Sequence, residues 1–178
     1  CALPICNKIW RRGLFEENGI RFPVRLWYED VASSPKLYLH AERIIGVHRP
    51  WYCYFQRTGS ITNSVSADRN TEMITAMNSS LDYYREQGKF EQYRTELEYM
   101  AFYHEFLTSV TRVNLIDPHS RVQDALRSDY LEQFPDYREN PFYRKAPARY
   151  RLLAELIRKK QWTAVHLLMT ANNRVKGR

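Results

Sequence analysis

Cysteine is scarce in this chain of 178 residues: Cys1, Cys6 and Cys53 are the whole set. Three widely spaced thiols form neither a disulfide framework nor a metal-ligand pattern, and they suit a reducing compartment. The five histidines, His40, His48, His104, His119 and His166, are scattered as well, with no pair at ligand spacing, which argues against a zinc site. Long hydrophobic runs are missing: no stretch approaches the roughly 20 apolar residues that a membrane-spanning helix needs. The sequence opens without an initiator Met, and residues 1–6 lack the basic-then-apolar order of a signal peptide. It therefore reads as a fragment or processed piece, with a cytoplasmic location expected, peripheral at the inner face of the cell membrane at most.

Aromatic residues are abundant, at 13 Tyr, 8 Phe and 4 Trp. With 44% apolar and 26% charged residues, the composition suits a packed domain rather than a disordered chain. The net charge of +7 is unevenly placed. From Tyr143 to the end there are ten basic residues against one acid, Glu155, a net of +9 that leaves the preceding part near −2.

Three zones differ in pattern. In the first, residues 1–64, Arg11 to Asn18 reads as a short helix stopped at Asn18-Gly19. Gly19 to Trp27 has no helical period and reads as a loop. Ser34-Pro35 suits a cap and first-turn proline opening a helix through Arg43. Ile44 to His48 and Trp51 to Phe55 are β-branched or aromatic runs split by Arg49-Pro50 and read as two short strands. The second zone is helical: Met73, Met77, Leu81 and Tyr84 recur at helical spacing, as do Phe90, Tyr93, Leu97, Met100, Ala101, His104 and Leu107, with Gln87-Gly88 between the two series. In the third, Val122 to Phe134 is followed by bends at Phe134-Pro135 and Asn140-Pro141. Two further stripes come after them, Leu152, Leu153, Leu156 and Ile157, then Trp162, Val165, His166 and Met169, joined at Lys159-Lys160 as in a helical hairpin.

The chemistry suggested by the first zone centres on Trp27-Tyr28-Glu29-Asp30, two acids ahead of a helix. A carboxylate near a helix N-terminus stays ionised readily, and an ionised carboxylate beside aromatic walls suits general-base work on a sugar hydroxyl. By residue type alone, such acids are more often structural. The order of the motifs adds to this. Asn7-Lys8-Ile9-Trp10-Arg11-Arg12, Gly19-Ile20-Arg21-Phe22-Pro23, Tyr28-Glu29-Asp30-Val31, the Ile44–Tyr54 run and Arg57-Thr58-Gly59-Ser60-Ile61-Thr62 together resemble the second half of bacterial family-two glycosyltransferases, over about a third of the chain.

That resemblance implies an α/β fold: residues 1–64 as the acceptor-side, C-terminal portion of a nucleotide-diphospho-sugar (GT-A type) sandwich, and residues 65–178 as a mainly helical extension with a basic tail. It implies an inverting transferase in surface polysaccharide synthesis, with Asp30 as general base and Glu29 positioning the acceptor. Trp27 and Tyr28 would contact the acceptor, and Arg57 and Ser60 the donor diphosphate. The implied partners are a nucleotide-sugar donor and a saccharide or lipid-linked acceptor. The implied cofactor is Mg or Mn, held by an Asp-x-Asp motif that this chain lacks, so the chain alone is expected to be incomplete and inactive.

A second reading comes from a different class: an inactive, basic helical module that docks on an anionic membrane surface or partner. Lys/Arg clusters beside apolar helix faces attract anionic lipids. Nucleic acid is not expected as the partner, because no reader motif is present.

Overall fold

The computed structural model describes residues 7–50, 52, 53, 55 and 66–175, and every regular element among them is helical. In chain order these are α1 (Arg12–Glu16), α2 (Glu29–His40), α3 (Glu72–Glu86), α4 (Arg94–Ala101), a π-helical stretch (Phe102–Ser109), α5 (Val110–Ile116), α6 (Val122–Gln133), α7 (Pro141–Lys145), α8 (Ala148–Arg158) and α9 (Trp162–Val175). Short 3₁₀ turns lead into α3, α4 and α7. α4, the π stretch and α5 run on as one rod, against which α3, α6, α8 and α9 pack, while α2 lies along α3.

This arrangement overturns the α/β expectation, and with it the reading of the chain as the C-terminal half of a GT-A glycosyltransferase. A sandwich needs a sheet, and no strand exists among the described residues. Ile44 to His48, expected as a strand, forms no ladder, and Ile44, Ile45 and Val47 are 67%, 68% and 63% exposed. β-branched side chains favour a strand only where a neighbouring strand supplies backbone partners and a face to pack on. No such neighbour is present among the described residues. The second expected strand, Trp51 to Phe55, falls partly outside the described residues.

α2 also starts earlier than Ser34-Pro35. Its first turn contains Glu29 and Asp30, whose charges favour the positive end of the helix dipole, and Pro35 sits well inside it. Proline there removes the N–H that would serve the carbonyl four residues back, which is that of Val31. The structure supplies a replacement from the next helix: Ser80 Oγ of α3 donates to the Val31 carbonyl at 2.7 Å. One turn along, the Tyr84 hydroxyl donates to the Pro35 carbonyl at 2.9 Å. Helix α2 therefore tolerates its proline because Ser80 of α3 serves the Val31 carbonyl that the proline leaves without its helical donor.

The helix ends follow the sequence signals closely. Gly88 closes α3 at φ +64°, with Lys89 N–H on the Tyr84 carbonyl and Gly88 N–H on that of Arg85. Lys160 adopts the same left-handed conformation after α8, with Gln161 N–H on the Leu156 carbonyl and Lys160 N–H on that of Ile157. Both are Schellman closures, glycine fitting the first without strain and lysine occupying the second. Arg127 of α6 also donates to the carbonyls of Ile157 and Arg158. Asn140 caps α7, its side-chain oxygen accepting from Phe142 N–H and Tyr143 N–H, ahead of a first-turn proline.

The core takes in the two apolar series of the second zone. Met73, Met77, Leu81 and Tyr84 of α3 are all buried, as are Leu97, Ala101 and Leu107 of the rod. The aromatic surplus converges at one place. Phe102, Phe106, Tyr130, Phe134, Tyr137 and Tyr143, from the rod, α6 and the turn into α7, form a continuous set of ring contacts, with Phe106–Tyr130 centroids at 4.7 Å and Tyr137–Tyr143 at 5.1 Å. Each such pair contributes about 0.5–1.5 kcal/mol beyond the area it buries.

Candidate functional site

The acids singled out in the sequence stand at the junction where α2 begins. Tyr28 precedes the helix in the left-handed region, φ 66°, an unusual conformation for a residue with a side chain. It is held there by its hydroxyl, which donates to Asn70 Oδ1 in the turn before α3 and stands within hydrogen-bonding reach of Ser109 and Arg112 on the rod. Burial pushes this phenol up, while the Arg112 guanidinium works in the opposite direction. Trp27 is buried, its backbone N–H donates to Glu72 at 2.6 Å, and the Arg69 guanidinium lies 4.6 Å over its ring. Arg69 in turn pairs with Glu72 at 2.8 Å. Glu72 is raised by desolvation but held below the usual carboxylate range overall by Arg69 and the Trp27 N–H.

The indole face proposed for an acceptor is thus covered by an arginine. Glu29 is exposed and Asp30 half-buried, and Asp30 Oδ1 accepts from the Val31 N–H at 2.9 Å. Trp27, Tyr28, Glu29 and Asp30 stand together, as expected, but as a packed corner locking α2 onto α3 and the rod. Arg57 and Ser60 lie outside the described residues. Among the described residues no group of three His, Cys, Asp or Glu side chains stands close enough to hold a metal ion.

The basic C-terminal part offers a different surface. Between 143 and 160 there are seven basic residues and one acid. That acid, Glu155, is already engaged by Arg138 Nε at 2.8 Å and by Arg158 at 3.2 Å. Partial burial pushes the Glu155 carboxyl up, but the two guanidiniums outweigh this and hold it below its ordinary range. Arg144, Lys145, Arg149, Arg151 and Lys159 are exposed on α7, α8 and the turn that follows. Three large apolar side chains are exposed among them and on α9: Phe142, Leu152 and Leu167, at 42%, 52% and 65%. Leu152 departs from the stripe read in the sequence, since Leu153 and Ile157 are buried and it is not.

Beside Leu152 runs a groove of about 300 Å³ between the π stretch, α8 and α9. Its floor is apolar: Leu107, Leu153, Leu168 and Met169. Arg149 and Tyr150 stand at its side, the guanidinium 4.9 Å from the Tyr150 ring, with the Tyr103 ring 6.0 Å from that of Tyr150. The π register widens the helix here, and its carbonyls attract extra donors: Ser109 Oγ donates to His104 O at 2.8 Å and Thr111 Oγ1 to Leu107 O at 2.8 Å.

One buried polar cluster was missed in the sequence. Glu105, fully buried on the π stretch, has no hydrogen-bond donor on either carboxyl oxygen and faces Asp129 of α6. Asp129 accepts from Gln133 at 2.8 Å, and Gln133 also donates to Asn78 Oδ1 at 2.8 Å. Burial first, and the Asp129 charge second, push the Glu105 carboxyl well above its ordinary range. Both effects favour the protonated carboxyl, the form in which Glu105 can donate to Asp129. The sequence did hold a signal, since Leu97, Ala101 and Glu105 recur every four residues and place the acid on the buried stripe.

Compared with known protein families, curated proteins and solved structures, the chain matches none. The likeness to family-two glycosyltransferases therefore finds no family match to support it, and the absence of a sheet contradicts it. The transfer reaction, the nucleotide-sugar donor, the saccharide acceptor and the divalent cation were implications of that likeness and lose their support with it. No described helix is long and apolar enough to cross a membrane.

Proposed function

We propose that this chain is a helical module that docks on an anionic membrane surface through α7, α8 and the start of α9. The observation that carries the reading is the pairing of exposed cations, Arg144, Lys145, Arg149, Arg151 and Lys159, with exposed Phe142, Leu152 and Leu167, in a stretch whose one acid is neutralised internally. Cations near a negatively charged leaflet each add attraction that fades within a Debye length, and apolar side chains beside them add shallow insertion.

Flotation with vesicles containing phosphatidylserine tests it. Binding is expected at low ionic strength and should fall steeply as salt shortens the screening length from about 10 Å at 0.1 M to about 3 Å at 1 M. The triple change Lys145→Glu, Arg149→Glu and Arg151→Glu should weaken binding at least tenfold. Absence of binding at low salt, or equal binding to neutral vesicles, refutes the proposal. An acidic protein that binds tightly while vesicles do not would assign the surface to a protein partner instead.

A further inference from the structure

The groove between the π stretch, α8 and α9 has the makings of a ligand site that surface docking does not require. Its floor is Leu107, Leu153, Leu168 and Met169, and no carboxylate lines it. A methylene occupies about the volume of a water molecule, near 30 Å³, so about 300 Å³ holds roughly ten of them. That is too little for the two chains of a membrane lipid and enough for one medium-length chain.

The polar groups gather at one side. Arg149 is exposed, no carboxylate pairs with it among the described residues, and its guanidinium lies over Tyr150, against which Tyr103 packs. A planar guanidinium with two donors on one edge matches a carboxylate, and the Tyr150 hydroxyl, which accepts from Arg149 Nη2 at 3.4 Å, lies beside it. Long helices seldom switch to π register, and such segments occur often at functional sites because they push one edge of the helix outward. Here that segment supplies Tyr103, Leu107 and Thr108 to the groove wall.

We infer that this groove binds one free fatty acid of roughly ten to twelve carbons, its chain along Leu107, Leu153, Leu168 and Met169 and its carboxylate on Arg149 between Tyr103 and Tyr150. The site shares Arg149 and Leu152 with the docking face but takes a single monomeric amphiphile, whereas docking uses the whole cationic face.

The test is calorimetric titration of the full chain with sodium dodecanoate below its micelle concentration. One saturable site is expected. Butanoate, which keeps the head and loses the tail, should bind at least a hundredfold more weakly, and dodecyltrimethylammonium, with the charge reversed, at least tenfold more weakly. Thr108→Trp, at an exposed wall position, should block the groove and abolish binding, and Arg149→Gln should reduce affinity about tenfold. If Thr108→Trp does not fold, as judged by circular dichroism and Tm, Leu152→Glu at the exposed rim replaces it with the same expected loss. No saturable binding of dodecanoate, equal binding of the cationic amphiphile, or unchanged affinity in the folded groove variant overturns the inference. Flotation on vesicles free of fatty acid separates the two proposals: Thr108→Trp should float like the parent chain, so a lost groove site leaves docking standing and lost docking leaves the groove standing.

Discussion

His104 and Glu105 follow one another in the π stretch, and burial disfavours the charged form of each, so they bend the stability of the fold in opposite senses. His104 has a buried, unpartnered Nε2, and burial lowers its pKa from 6.5 to about 4. The unfolded chain therefore takes up this proton before the folded one does. Stability from neutral His104 is complete above 6.5 and is lost as pH falls from there towards about 4. Glu105 runs the other way, because its folded pKa is raised above the ordinary 4.5. Its contribution is complete below 4.5 and declines as pH rises, until the buried carboxyl itself ionises. Asp129 strengthens this trend, since a second negative charge cannot readily appear beside it. Glu105→Gln keeps the shape, supplies a permanent donor to Asp129 and removes the ionisation. At pH 8 it should raise stability by about 1–2 kcal/mol, or roughly 2–8 °C in Tm, and flatten the decline that begins above pH 4.5. His104→Gln should flatten the acid side alone. Melting curves from pH 4 to 9 decide both, and a Glu105→Gln profile parallel to the wild type would show that this carboxyl is not the titrating group.

The helices show what a sequence yields and where it stops. Periodicity placed α3, the rod as far as Leu107 and the α8–α9 hairpin, because amphipathic spacing is a local property that packing then uses. The reading failed at Ile44 to His48, where β-branched residues suggest a strand but the partner strand that would make one is absent from the described chain. It also failed at Pro35, read as a helix opening, because the remedy for this interior proline is Ser80, 49 residues beyond the Val31 carbonyl it serves. Similarly, the Trp27–Asp30 corner was visible as a cluster of residue types, while the arginine that covers Trp27 comes from Arg69, which no local pattern announces. The proline repair can be measured. Ser80→Ala should cost about 1–3 kcal/mol, the price of a buried carbonyl left without a donor. Pro35→Ala restores the missing N–H, so in that background Ser80→Ala should lose most of its effect. A denaturant double-mutant cycle with no coupling between the two positions would reject this account.

For the molecule as a whole, charge was the property most legible in advance, since counting places the excess beyond Tyr143. Counting did not show that Glu155, the one acid there, is taken up by Arg138 and Arg158, nor that Leu152 leaves its stripe to stand beside Arg149. Glu155→Gln frees two guanidiniums and adds to the positive face. Vesicle affinity at low salt should rise a few fold in that variant, and the gain should disappear at 1 M salt, where screening acts within about 3 Å. An unchanged affinity would mean that the surface near Glu155 lies away from the membrane.

The proline in α2 also sets a clock. During synthesis the Val31 carbonyl leaves the ribosome before the Ser80 side chain that serves it, which follows 49 residues later. At roughly 5–20 residues per second, the segment spends about 2–10 s without it. Throughout that interval it has a broken helical pattern and an unpaired Val31 carbonyl, so it stays a flexible strip until α3 emerges as its template. Slower translation across residues 41–80 prolongs that exposure, and the yield of folded chain should respond to codon choice there more than anywhere after α3.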